Sequence, residues 1–268
     1  MVIDERGEGR RGVLKGAVVA AVGAGLLAAG SSGTAGAAEE WKPRAADHDD
    51  PASGRVRVAV LLYQGVTALD AIGPYEVLCR VPGARVSMVA RRAGRILTDT
   101  GQVALIAERS LREVRGVDVL LVPGGGPGMV TASRDAETLD WIRRMHRTTT
   151  WTTSVCTGSL ILGAAGLLRG LPATTYWASR GQLATFGAVY TPGRFVEAGK
   201  IITAAGVSAG IDMALHLTSR LTNDRVAQAA QLAVEYDPDP PYDTGSPEKA
   251  DAELRALALK LIEDSAAR

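Results

Sequence analysis

The chain has 268 residues, 46% hydrophobic and 4% aromatic, with a formal net charge of +1. That length accommodates one ordinary domain with appendages. The balanced charge and sparse aromatics exclude an electrostatic footprint or a stacking surface for nucleic acid, and two cysteines do not make a disulfide scaffold.

In chain order the first element is a targeting segment, residues 1–37. Arg10-Arg11-Gly12-Val13-Leu14-Lys15 presents paired arginines, an apolar stretch runs from Gly16 to Gly30, and Ala35-Gly36-Ala37 offers a cleavage site. The segment is similar to a twin-arginine (Tat) signal, which implies use of the Tat export machinery and a periplasmic or extracellular location in a bacterium. The apolar stretch is shorter than the ~20 residues a membrane span requires. Residues 38–54, with Pro43, Pro51 and the acids Asp47, Asp49 and Asp50, read as a linker. A single domain is then expected over 55–268.

Within that domain, Val56 to Tyr63 is a near-continuous apolar run, the pattern of a strand buried on both faces of a parallel sheet. A short helix opened by Pro74 is expected to carry Glu76, Val77, Leu78 and Cys79, with Cys79 in the core. Arg85–Ala90 and Val117–Val122 read as strands, and Ala136–His146 as a helix. Trp151–Val155 is a further strand, leading into a small-residue helix from Gly158. A strand at Ala173–Tyr176 and a helix to Phe186 come next. Short strands follow near Ala188–Tyr190, Phe195–Glu197 and Ile201–Ala204. Helices are expected over Ser208–Leu221, from Asp224 as cap to about Tyr236, and over Glu248–Ala266, where Leu254, Leu257, Leu261 and Ile262 share one face. Strands alternating with helices indicate an α/β doubly wound sandwich, a mainly parallel sheet with helices on both faces.

In such sheets the site lies beyond the carboxyl ends of the strands. Asp70, Gly124-Gly125-Gly126 and Cys156 each follow a predicted strand and so fall on one edge. Cys156 occupies a strand-to-helix turn, the position of a nucleophile elbow, where helix N–H groups are expected to ease ionisation of its thiol. Asp70 is the one acid of an apolar stretch and suits proton transfer beside a thiol. The N–H groups of Gly124, Gly125 and Gly126 are expected to hold developing charge. Thr157 supplies a further N–H and a hydroxyl. Gly73 and Trp177 are candidate substrate contacts beside these segments. Histidine is informative by its scarcity: His48, His146 and His216 all lie in segments that do not reach the sheet edge, so no Cys–His pair is expected. No metal constellation is present in the sequence.

Four segments together resemble one family. They are Leu69-Asp70-Ala71-Ile72-Gly73-Pro74-Tyr75-Glu76-Val77-Leu78, Val122-Pro123-Gly124-Gly125, Ser154-Val155-Cys156-Thr157-Gly158-Ser159 and Ala209-Gly210-Ile211-Asp212. The tail Leu232 to Asp243 completes the pattern. The chain resembles the ThiJ/PfpI superfamily (class I glutamine amidotransferase-like), and within it the isonitrile hydratase group. The resemblance implies a flavodoxin-like fold, a homodimer and hydration of an isonitrile to an N-substituted formamide without metal or organic cofactor. It also implies roles for Cys156 as nucleophile, Asp70 as acid/base and Thr157 as its assistant. Tyr176-Trp177 stands where related chains carry His-Trp, and the export signal departs from cytoplasmic members. Two other readings compete. One is a glyoxalase-like, deglycating or hydrolytic enzyme acting on carbonyl compounds. The other is a non-catalytic exported protein that binds a ligand or senses oxidation through Cys156.

Overall fold

The run of valines and leucines after Val56 forms β1 (Arg57–Leu62), and α1 (Ala68–Leu78) returns the chain to β2 (Arg85–Ala90). The structure, a computed structural model, describes residues 56–266; the signal and linker expectations and His48 lie outside the described residues. A hairpin of β3 (Gly94–Leu97) and β4 (Ala104–Ala107) and a short strand β5 (Arg109–Ser110) follow. β6 (Val119–Val122) leads through the glycine loop to α2 (Pro127–Ala132) and α3 (Ala136–Thr148). β7 (Trp151–Val155) leads through the cysteine turn to α4 (Gly158–Ala164). Next come β8 (Pro172–Ala173), a 3-10 helix over Trp177–Phe186, β9 (Val189–Tyr190) and the antiparallel pair β10 (Phe195–Ala198) and β11 (Ile201–Ala204). The helices α5 (Ala209–Leu221), α6 (Asp224–Ala233) and α7 (Ala252–Ala266) close the described chain.

The central sheet has seven strands in the order β10-β11-β7-β6-β1-β2-β5, parallel except for β10. Its period-two side chains feed two separate cores. Ala59, Leu61, Leu120 and Val122 point into one, beneath α2, α3 and α4, where Trp141, Ile142 and Leu160 are fully buried. Val58, Val60, Leu62, Val119 and Leu121 point into the other, beneath α1, α5 and α6, with Val77, Met213 and Leu217. Each such Val or Leu side chain contributes about 1.5–3 kcal/mol by leaving water, so continuous apolar strands require a helical layer on both faces. The doubly wound, mainly parallel, flavodoxin-like sandwich is the fold observed.

Several local expectations change. Pro74 does not open a helix; it lies inside α1, which starts at Ala68. Proline there forfeits the bond to the Asp70 carbonyl, but the ring packs against Gly210 of α5, where an added Cβ would come within 3.1 Å of Pro74 Cγ. Cys79 is exposed as the C-cap of α1 rather than buried. Asn223, not Asp224, caps α6, its side chain accepting the Val226 N–H at 3.1 Å. The segment to Phe186 is a 3-10 helix, and β3, β4, β5 and α2 were not anticipated. On α7 the apolar face is present but Leu254, Leu257, Leu261 and Ile262 are all exposed, because none of the described elements covers it.

Candidate active site

β1, β6 and β7 are adjacent and parallel, so the turns that leave them converge at one edge. Asp70 lies in the first turn of α1, after β1. Gly124 follows β6, and Cys156 follows β7. The sheet thus brings together the three segments expected to share an edge.

Cys156 adopts a left-handed backbone, φ +57°, a conformation that costs a residue with a Cβ about 1–2 kcal/mol. Hydrogen bonds on both sides hold it. Its N–H donates to the carbonyls of Ala204 and Ala205, at 3.1 and 2.7 Å, while its carbonyl accepts the hydroxyls of Ser159 and Thr175, each at 3.1 Å. The turn aims the sulfur inward, where it accepts the backbone N–H groups of Thr157 and Val207. Ser159, Thr175 and Val207 escaped sequence reasoning. Ser159 lay within the Cys156 motif, but the other two reach the cysteine only through tertiary folding.

The thiol does not ionise more easily than usual. Burial pushes its pKa well above the ordinary range, and the neighbouring Asp70 charge adds to this; the Thr157 and Val207 N–H groups pull the other way and do not prevail. Helix-terminus donors act strongly on an exposed thiol, but here desolvation outweighs them. Asp70 is fully buried, and burial raises its carboxyl from 3.8 to about 7. Its Oδ2 accepts the Gly124 N–H at 2.9 Å. The Cys156 thiol bonds to the same carboxyl and favours its charged form, while the Asp99 charge opposes it. With one proton on the pair, the thiol keeps it and the carboxyl carries the charge, and a carboxyl raised to about 7 is placed for acid/base work near neutrality.

The glycine loop is already committed. Gly124 gives its N–H to Asp70, and Gly125 gives its N–H to the Thr157 hydroxyl at 3.0 Å, while that hydroxyl donates to the Gly125 carbonyl at 3.0 Å. These donors position the acid and the elbow instead of awaiting a developing charge. A Cβ on Gly124 would meet the Thr157 nitrogen and hydroxyl at 2.7 Å and Asp70 Oδ2 at 2.8 Å, so only glycine fits. Gly126 caps α2. Gly73 is not at the site: it is buried in α1 where a Cβ would come within 3.1 Å of Ile211 on α5, so its role is helix packing. Trp177 is half-buried, tilted against Tyr176 with ring centroids 5.6 Å apart.

Both aromatics line a cavity of about 480 Å³, with Arg180, Tyr190, Arg194 and the Ala205–Ser208 turn. Thr175, Ala205 and Val207 belong both to this wall and to the hydrogen bonds around Cys156. Asp99, which sequence reasoning missed, accepts the Thr67 hydroxyl at 2.6 Å, and the Thr67 N–H donates to the Gly124 carbonyl at 3.0 Å. The two described histidines are elsewhere, as expected. His146 bonds Thr152, and His216 bonds Glu197 at 2.6 Å and stacks on Phe195.

A flavodoxin-like sandwich with a buried cysteine elbow and a partnered acid defines a recognisable class of α/β protein. The model of the DJ-1/PfpI family matches residues 56–220, and the chain belongs to that family. Among curated proteins it is 42% identical over 195 residues to "Isonitrile hydratase" of Pseudomonas putida, covering 73% of this chain and 85% of that one. A ThiJ/PfpI family protein from Pseudomonas syringae superposes with a TM-score of 0.75 at 37% identity, over 85% of this chain and 96% of that one. Drosophila melanogaster DJ-1beta, at 21% identity and a TM-score of 0.62 over 68% of this chain and 98% of its own, shares the fold.

Proposed function

We propose that this protein is a cofactor-independent isonitrile hydratase-like lyase. The observation that carries the reading is the buried Cys156–Asp70 pair, and the similarity to the Pseudomonas putida protein supports it. With one proton between them, the pair passes the thiol proton to the Asp70 carboxylate. The Cys156 thiolate, accepting the Thr157 and Val207 N–H groups, adds to the terminal isonitrile carbon, forming a C–S bond. Asp70 delivers its proton to that carbon and leaves a thioimidate. The Asp70 carboxylate next takes a proton from water as the hydroxide adds to the same carbon, and returns it to the nitrogen. The hydroxyl proton then passes to Asp70 as the C–S bond breaks. Formamide leaves, and the proton goes back to sulfur.

In the first step, negative charge develops on a carbon that is protonated directly. The reaction therefore has no need of the loop donors that Asp70 and Thr157 already occupy. Attack on a carbonyl develops an oxyanion and needs free donors of that kind, which weighs against the glyoxalase-like alternative. Thr157 acts as a positioning residue through Gly125. Trp177 and Tyr176 form the apolar wall against which the isonitrile substituent rests. A twin-arginine signal at Arg10-Arg11 would deliver the enzyme outside the cytoplasm, and a second copy of the chain would cover the α7 face in a homodimer. A reporter fusion and light scattering test these two points respectively.

The deciding experiment is product analysis by mass spectrometry with cyclohexyl isocyanide. N-cyclohexylformamide is expected from the wild type and not from Cys156→Ala. Equal turnover by Cys156→Ala would sink the nucleophile, and no formamide from either protein would sink the hydratase.

A further inference from the structure

We infer that the cleft between the carboxyl ends of β1 and β2 and the helices α2 and α3 is a second ligand site, for a small organic anion with an apolar body. The cleft encloses about 370 Å³, within the range of small-molecule sites. It shares no lining residue with the cavity beside Cys156. It opens at the carboxyl edge of the sheet, one strand over from the reversal between β1 and β6 where Asp70 and Gly124 sit.

The floor is apolar: Leu62, Ala90, Ile96 and Ala132 are all buried. Three arginines, Arg91, Arg92 and Arg95, line the cleft, against one acid, Asp135. Asp135 is fully engaged. Its Oδ2 accepts both the N–H and the hydroxyl of Thr138, at 3.1 and 2.6 Å, and its Oδ1 pairs with Arg91 at 3.2 Å. Arg91 also pairs with Glu137 at 2.9 Å. Arg92 and Arg95 have no acidic partner among the described residues, so the cleft carries two uncompensated positive charges above an apolar floor. A guanidinium matches a carboxylate or a phosphate through paired N–H donors. The enclosed volume suits a small molecule, not a chain or a membrane.

A route to the catalytic pair exists. Tyr63 lines the cleft and donates its hydroxyl to the Pro123 carbonyl at 3.0 Å. Pro123 immediately precedes Gly124, whose N–H holds Asp70.

The test is isothermal titration calorimetry of the full chain with phenyl phosphate, benzoate, inorganic phosphate and benzyl alcohol. It is repeated on Arg92→Gln/Arg95→Gln, two exposed positions, with thermal melts establishing that the variant is folded. Saturable binding of an aromatic anion is expected, weakened roughly tenfold or more in the variant, since each charge-assisted bond contributes more than a neutral one. Tighter phenyl phosphate assigns the site to phosphate esters, and tighter benzoate to carboxylates. The inference is overturned by no saturable binding to the wild type, by equal affinity in the folded variant, or by benzyl alcohol or inorganic phosphate binding as well as the aromatic anions.

Discussion

Asp70 gives one carboxyl oxygen to the Gly124 N–H at 2.9 Å, while the other, Oδ1, has no N–H or O–H partner, leaving the carboxyl to the Cys156 thiol. An unpaired buried acceptor is costly, and the cost is relieved when the oxygen carries a proton. The same arrangement explains why the carboxyl is raised to about 7 and why it can act as an acid.

Asp70→Asn is expected to trade activity for stability. A carboxyl raised from 3.8 to about 7 by folding binds protons more tightly in the native state. The penalty is absent below the unfolded value, grows as pH rises between the two, and reaches on the order of 4 kcal/mol above the folded value. Asparagine keeps an acceptor for Gly124 and never ionises. The variant should melt roughly 8–16 °C above the wild type at about pH 8, with the gap closing toward about pH 4. Formamide production should fall about 10²–10⁴-fold. Melting curves for both proteins across pH test the first point; a gap that is independent of pH means burial of the carboxyl is not its cause.

The activity profile should follow the same carboxyl. Turnover begins from the state with one proton on the pair, so kcat/KM should climb as pH rises through about 7 and then level, since the thiol titrates far higher. Cys156, Tyr63 and Asp99 are the charged or titratable groups coupled to this carboxyl. Asp99 raises it, so Asp99→Asn should move the midpoint to lower pH by a few tenths of a unit to about one unit. A midpoint that stays put in Asp99→Asn would remove Asp99 from the electrostatics of the site.

Much of this was legible in the chain. The unbroken run Val58 to Leu62 and its counterpart Val119 to Val122 can only be strands covered on both faces, and the alternation with helices then places Asp70, Gly124 and Cys156 on one edge. What remained hidden depends on neighbours distant in sequence. Pro74 looks like a helix opener until Gly210 provides room for its ring. The ease of ionising Cys156 looks assured by the helix start until burial and Asp70 are counted. Asp99 sits in a hairpin with no local signature, and its link to the site runs through the Thr67 hydroxyl. Arg92 and Arg95 look like solvated surface charges until the sheet encloses a cleft beside them.

Gly124→Ala tests how the acid is held. The added methyl carbon would lie 2.7 Å from the Thr157 nitrogen and 2.8 Å from Asp70 Oδ2, neither of which is the end of a flexible chain. One of them must move by several tenths of an ångström. Loss of alignment between acid and nucleophile should reduce kcat about 100-fold. Overpacking should lower stability by about 1–3 kcal/mol. A variant with wild-type kcat and a lowered melting point would show that the loop packs against the acid without positioning it.

Thr175→Val tests the restraint on the elbow. The hydroxyl that Thr175 donates to the Cys156 carbonyl at 3.1 Å is lost while the side-chain shape is kept. Removing one buried donor should cost about 1–2 kcal/mol, because the carbonyl retains Ser159. The left-handed backbone at Cys156, φ +57°, is then less firmly held, and the sulfur should sample positions away from the Thr157 and Val207 N–H groups. Turnover is expected to fall by about tenfold, with KM little changed, while Thr175→Ser should restore both rate and melting point. A variant that loses stability but keeps kcat would confine Thr175 to packing, with Ser159 alone fixing the nucleophile.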